Sequence, residues 1–293
     1  MKKRTKISIG VLLLSLLGIG ALSSCSTVSV LNAITPSGAY VLSKDVAYGT
    51  LPRQVLDVYT AKDARVNSPI LVFIHGGSWS EGDKNIYKFL GENFASEGYT
   101  TIIPNYRLHP QVKFPKFIDD TAEAVAWSAA KYPNRSLILM GHSAGAYNAS
   151  LVLANRTYLE KHDVNVCERI AGFVGLAGPY GVLPVVEEPY LTIFPEHHQG
   201  TDSPIKNMTK PLPPLFLAIG DKDTTVSIKH NDAVSAHVLK KGGSVETQLY
   251  VGLSHIDVVK VLSRYFDDDS RLKADILNFI EMQSERKFNY CTP

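Results

Sequence analysis

The chain reads as one large α/β domain, a mostly parallel central sheet with helices on both faces, preceded by a short export segment. Three observations carry that reading. Apolar runs without an interior polar residue, such as 70–74 and 137–140, have the composition of central strands covered on both sides. Stretches with helical spacing alternate with those runs along the chain, the order that produces parallel strands joined by crossover helices. A length of 293 residues is enough to bury one sizeable core.

The chain opens MKKRTKISIGVLLLSLLGIGALSSC: a basic start, an apolar run over 7–22, then small residues before Cys25. This is the pattern of a secretory signal. Diluted by Ser8, Gly10, Ser15, Gly18 and Gly20, the run falls short of the ~20 apolar residues that span a bilayer. Residues 1–24 are therefore read as a signal peptide, 25–44 as a polar tether and 45–293 as the folded domain. The segment Leu22-Ser-Ser-Cys25 resembles the lipobox of bacterial lipoproteins, which implies a lipid on Cys25 and attachment to a membrane in the cell envelope. With Ser26 rather than Asp beside the cysteine, the resemblance implies the outer membrane of a Gram-negative bacterium.

Cleavage removes Lys2, Lys3, Arg4 and Lys6, taking the formal net charge from +2 to −2 and leaving no basic block. Nucleic acid is thereby an unsuitable partner. Cys167 and Cys291 are too few and too far apart for a disulfide framework or a CxxC metal site; pairing and free thiols both stay open.

In order, 46–59 suits a strand pair turning near Gly49 to Pro52, and 69–75 is the first fully buried strand. A helix over 84–97 closes at Gly98, and 99–104 is the next strand. A helix over 119–131, a strand over 136–141, a helix over 143–155 and a strand over 170–177 follow. The last elements are a strand over 215–220, a helix over 228–241, a strand over 245–251 and a helix over 274–284. One long connection, 178–214, is rich in proline and aromatic residues, and connections of that length usually serve function or lack order.

Chemistry gathers where predicted strands end. In Gly141-His-Ser-Ala-Gly145 the buried strand stops and a helix starts just after Ser143, so the serine occupies a tight reversal flanked by glycines. A serine hydroxyl needs exposure and a neighbouring base to act as a nucleophile, and this turn supplies the exposure. His75-Gly-Gly-Ser-Trp79 also follows a buried strand. Its glycines let the main chain approach a developing oxyanion, with Gly76 permitting the turn and Gly77, Ser78 and Ala144 as N–H donors. His255 follows a predicted strand near the end of the chain and is the candidate base. Two acids precede it, Asp221 and Asp223, and either could orient it. His230 and His237 lie within a helix pattern and His197 and His198 in the long connection; all four read as solvated or substrate-side residues. His142 points away from the serine and is assigned to packing.

HGGSW, Tyr106-Arg-Leu-His-Pro110, GHSAGA, GDKDTTV and the late Ser254-His255 pair together resemble the α/β-hydrolase superfamily. Within it they resemble the esterase branch with HGGxW, which includes carbohydrate and feruloyl esterase-like proteins, kynurenine formamidases and prenylcysteine methylesterases. The resemblance covers residue 45 to the last helix. It implies an α/β-hydrolase fold with a small insert, 178–214, between the sixth and seventh strands, and a serine hydrolase without metal or organic cofactor. It favours Asp223 over Asp221, because G-x-x-D before valine is the family pattern there. Ser78 stands where hormone-sensitive-lipase-like members carry a third glycine, which points to the HGGxW branch.

The implied activity is a serine carboxylesterase acting on short-chain esters, of carbohydrate or aromatic type, through Ser143, His255 and Asp223. Trp79, Tyr106 and Tyr180 are candidates to line its pocket. An aryl formamidase would use the same three residues. A peptidase would usually carry an extra domain over the site, and a non-catalytic surface protein would be expected to have lost a member of the triad.

Overall fold

The computed structural model describes residues 31–181, 188–195, 202–266, 271–285 and 290–291. The signal peptide, Cys25 and the first part of the tether lie outside the described residues, as do Glu187, Glu196, His197 and His198 of the insert. Eight strands form one sheet: β1 (Tyr40–Ala47), β2 (Val55–Ala61), β3 (Ile70–Ile74), β4 (Thr101–Pro104), β5 (Leu137–His142), β6 (Ile170–Leu176), β7 (Leu215–Gly220) and β8 (Val245–Tyr250), in the order β1-β2-β4-β3-β5-β6-β7-β8. β1 and β2 pair antiparallel, β2 meets β4 antiparallel, and every pair from β4 to β8 is parallel. Every residue of β3, β5, β6 and β7 is buried, as their apolar runs require.

Five longer helices cover the sheet. α1 (Lys88–Ser96) and α5 (Leu272–Glu285) pack on one face through Phe89, Phe94, Ile276 and Phe279. α2 (Lys116–Lys131), α3 (Ala144–Ala154) and α4 (Lys229–Lys240) cover the other through Phe117, Val125, Leu151 and Val234. All of α3 is buried, which fits a helix apolar on every side beneath a second layer. β4 and β5 lie on opposite sides of β3, so the sheet reverses direction there and opens a crevice at the carboxyl ends of β3 and β5.

The N-terminal boundary differs from the sequence reading. Residues 31–34 form a helical turn with Leu31 buried, and β1 begins at Tyr40, inside the segment read as tether. The strand pair is thus Tyr40–Ala47 with Val55–Ala61 rather than 46–59. β1 hid from pattern reading because it is an edge strand exposed along most of its length. Lys84 clamps this hairpin from beneath: its buried ammonium lies 2.8 Å from Asp57 of β2 and 2.6 Å from Asp45 of β1. The helix expected over 84–97 is a 3-10 turn, Lys84–Tyr87, followed by α1, and the insert does lie between β6 and β7.

Cys167 and Cys291 form a disulfide that closes a separation of 124 residues and ties the end of the chain to the start of β6, where the Tyr290 hydroxyl donates to the carbonyls of Val166 and Ile170. Cross-linking so long a loop removes entropy from the unfolded chain. Replacing both cysteines by serine is expected to lower stability by about 3–5 kcal/mol in urea unfolding. An unchanged midpoint would show that the bridge adds nothing.

Two histidines are buried at strand ends. Burial pushes His75 down to about 4 and His142 down to about 3, so both are neutral in the folded protein. In the unfolded chain each titrates near 6.5, as free histidines do. Below that value the unfolded state binds protons that the folded state refuses, so stability is full above about pH 7 and falls as the pH drops toward 4. Unfolding free energy should decrease by about 3–4 kcal/mol between pH 7 and pH 5 from these two groups. A flat profile over that interval would mean that both rings accept protons without unfolding.

Candidate active site

The turn at the end of β5 is set by close contacts that only glycine permits. A Cβ on Gly145 would lie 2.1 Å from the carbonyl oxygen of Ile74, and one on Gly141 would lie 2.6 Å from the backbone of Ala146. α3 can therefore start directly against the end of β3. Ser143, at the vertex, has φ 53° and ψ −122°, a strained conformation for a residue with a side chain. It is held there by a hydrogen bond from its own N–H to the Leu176 carbonyl of β6, 2.9 Å.

Three side chains from three loops meet above this turn. The Ser143 hydroxyl lies 2.9 Å from His255 Nε2, and His255 Nδ1 lies 2.8 Å from Asp223 Oδ2. The second carboxylate oxygen of Asp223 accepts from the N–H groups of Thr225 and Val226, both at 2.8 Å, and the carboxylate is almost wholly buried. A carboxylate fixed on both oxygens sets the imidazole's tautomer: Nδ1 carries the proton and Nε2 is free to accept one from serine. Asp221 takes a different role, accepting from the Gly252 N–H at 2.7 Å and closing the loops after β7 and β8. The structure brings Ser143, His255 and Asp223 together and leaves Asp221 outside.

The loop after β3 runs through three positive φ angles, Gly77 at 123°, Ser78 at 49° and Trp79 at 60°. A Cβ on Gly77 would lie 2.2 Å from the Glu81 carbonyl oxygen, which excludes any other residue. Among the described residues, the N–H groups of Gly77, Ser78 and Ala144 donate to no carbonyl in a turn or loop, and Ser78 and Ala144 line the cavity with Ser143.

A cavity of about 320 Å³ opens in front of the serine. One wall is apolar: Trp79 from the loop after β3, with Pro179 and Tyr190 from the insert. The Trp79 ring is clasped edge-on by Tyr147, Tyr190 and Phe194, and its indole N–H donates to Asn148 Oδ1 at 2.8 Å. The insert is thereby fastened to the loop that carries Gly77 and Ser78. The segment after Asp223 contributes Thr225, Val226, Ser227 and His230 to the rest of the lining.

Two candidate pocket residues belong to the core instead. Tyr106 stacks on His75 with ring centroids 4.4 Å apart and donates its hydroxyl proton to the His75 carbonyl, holding up the end of β3 from below. Tyr180 is fully buried, edge-on to Phe173 and directly over Gly175 and Gly178, whose missing side chains make room for its ring. Its neighbours Pro179 and Tyr190 reach the cavity in its place. His142 has more than a packing role, since its Nε2 donates to the backbone carbonyl of His255 at 2.9 Å and the two rings lie 4.8 Å apart. A neutral His142 puts no positive charge beside His255. No sequence signal announced that contact, because its acceptor is a carbonyl 113 residues away. Among the described residues, no group of three or more His, Cys, Asp or Glu side chains could hold a metal ion.

Residues 56–187 match the family model BD-FAE. A probable isoprenylcysteine alpha-carbonyl methylesterase from Oryza sativa subsp. japonica is 26% identical over 243 residues, covering 73% of this chain and 57% of its own length. The chain thus spans little more than half of that relative. A kynurenine formamidase from Drosophila melanogaster is 23% identical over 238 residues, covering 76% of this chain and 78% of its own. Among solved structures, esterase B from Lactobacillus Rhamnosis superposes with a TM-score of 0.75 at 20% identity, over 90% of this chain and 93% of the other. With its eight-stranded, mostly parallel sheet and helices on both faces, the chain has the α/β-hydrolase fold.

Proposed function

We propose that this chain is a serine carboxylesterase that cleaves esters of short acyl chains. The observation that carries the reading is the unbroken relay from Ser143 through His255 to Asp223, at 2.9 and 2.8 Å, facing a cavity of about 320 Å³. In this mechanism the Ser143 oxygen attacks the ester carbonyl while its proton passes to His255 Nε2, and Asp223 stabilises the imidazolium. Charge on the former carbonyl oxygen is taken up by the N–H groups of Gly77, Ser78 and Ala144, each worth about 3–4 kcal/mol to the transition state. His255 then returns its proton to the departing alcohol oxygen, leaving an acyl group on Ser143. Water, deprotonated by the same imidazole, releases the acid and restores the serine.

The insert supports the restriction to short acyl chains. Tyr190 and Pro179 stand in the cavity wall, and the aromatic contacts of Tyr190 and Phe194 with Trp79 leave that wall little freedom to withdraw. The same relay would cleave an N-formyl aromatic amine, and the similarity to a formamidase over most of both chains favours this as the second reading. Comparing kcat/KM on p-nitrophenyl acetate and on a formylated aniline separates the two. Attachment to the cell envelope through a lipid on Cys25 belongs to the same proposal. The disulfide supports an oxidising compartment, where such bonds persist.

Ser143→Ala is expected to cut ester turnover by about 10⁶, and a fluorophosphonate probe should label Ser143 alone in the native protein. Labelling elsewhere would defeat the assignment. Asp223→Asn should lower kcat by about 10⁴ at an unchanged folded fraction, while Asp221→Asn should act mainly on stability; the opposite ranking would exchange their roles. His142→Ala removes the donor to the His255 carbonyl and should lower kcat about tenfold with little change in KM. Loss of folded protein without a change in kcat per folded molecule would return His142 to packing alone.

A further inference from the structure

His230 stands at the first turn of α4, in the cavity wall. Its Nδ1 lies 3.0 Å from the backbone N–H of Gly181, at the start of the insert. An N–H can only donate, so Nδ1 must be the bare nitrogen and the ring proton must reside on Nε2. Burial also pushes the ring's pKa down, which favours that neutral form. The result is a fixed hydrogen-bond donor in the cavity wall, held by the insert and absent from the Ser143–His255–Asp223 relay. Thr225 and Ser227, exposed residues of the same lining, carry two further hydroxyl groups, and the Ser227 oxygen accepts from the Lys229 N–H at 3.3 Å.

The side of the substrate that meets this wall follows from the proton path. His255 must deliver its proton to the leaving oxygen, so the alcohol half of the ester lies on the His255 side of the carbonyl. The segment 225–230 is continuous with Asp223, which His255 contacts, and Thr225 and Val226 wrap the Asp223 carboxylate with their N–H groups. The segment 225–230, which lines the cavity, is therefore assigned to the alcohol side.

We propose that His230, with Thr225 and Ser227, forms a subsite for the alcohol half of the ester, and that it selects alcohols carrying an additional hydroxyl or ether oxygen near the ester bond. His230 Nε2–H and the two hydroxyls donate to that oxygen. A plain alkyl alcohol leaves the half-buried His230 donor without that partner, which is how a site built for a hydroxyl discriminates against its absence. The inference rests on the esterase reading and adds to it which half of the substrate is recognised and by what.

The test uses the full-length protein and two acetates with the same three-carbon chain, 2,3-dihydroxypropyl acetate and propyl acetate. The wild-type protein is expected to prefer the dihydroxypropyl ester by roughly tenfold in kcat/KM. His230→Phe keeps a planar ring and removes both nitrogens, and should lower that preference about tenfold. Thr225→Val, at an exposed position whose backbone N–H still reaches Asp223, should lower it by a smaller factor and provides the answer should the histidine variant fold poorly. A wild-type preference near one, or equal proportional losses on both esters in the variants, would overturn the subsite. Hydrolysis of propyl acetate together with fluorophosphonate labelling at Ser143 would in that event leave the esterase reading standing. If neither ester is cleaved and Ser143 does not label, both fall together.

Discussion

The contact on which the site depends is the approach of Gly145 to the last carbonyls of β3. Without a side chain there, the first turn of α3 settles against Ile74 and His75, and the chain has no room to leave β5 except through the sharp reversal at Ser143. That reversal costs about 1–3 kcal/mol in backbone strain. It persists because both neighbouring strands hold it: β3 through the glycine contact and β6 through the Leu176 carbonyl that accepts from the Ser143 N–H. One turn thus sets the height of the serine relative to the loop after β3 on one side and the insert after β6 on the other.

Much of this was legible because the geometry demands particular residues. Close backbone approach forces glycine at 141, 145 and 77, and full burial forces apolar runs in β3, β5, β6 and β7, so the strand ends announce themselves. What stayed hidden was decided by contacts distant in sequence. An aromatic residue near a strand end can face the cavity or the core, and nothing local distinguishes Trp79, which lines the cavity, from Tyr106, which supports His75. The same holds for histidines. His230 sits in a helix pattern, yet its place in the wall is fixed by an N–H 49 residues earlier. β1 escaped for the opposite reason: an edge strand with little to bury leaves little apolar pattern to read.

Buried imidazoles recur around the relay, and their neutrality matters as much as their position. His75 and His142 lie at the ends of β3 and β5, and the charge that each would gain in water is suppressed by burial. A cationic His142 with its ring 4.8 Å from that of His255 would oppose formation of the imidazolium that proton transfer from Ser143 requires. Kept neutral, it offers the His255 carbonyl a donor and sets no like charge beside the imidazolium that Asp223 stabilises.

The two walls of the cavity answer to different physics. The Trp79 wall is a dry aromatic cluster, Tyr147, Tyr190 and Phe194 meeting the indole edge-on, and its rigidity comes from packing. The rest of the lining hangs on hydrogen bonds: Asp223 orders 225–226, and His230 is oriented by Gly181. The insert takes part in both, supplying Tyr190 to one and the Gly181 N–H to the other. A change in the insert therefore alters apolar shape and polar orientation at once, while the relay itself, built from the loops after β5, β7 and β8, keeps its own supports. Variation in what such a site accepts can in this way be confined to one segment without disturbing the Ser143–His255–Asp223 relay.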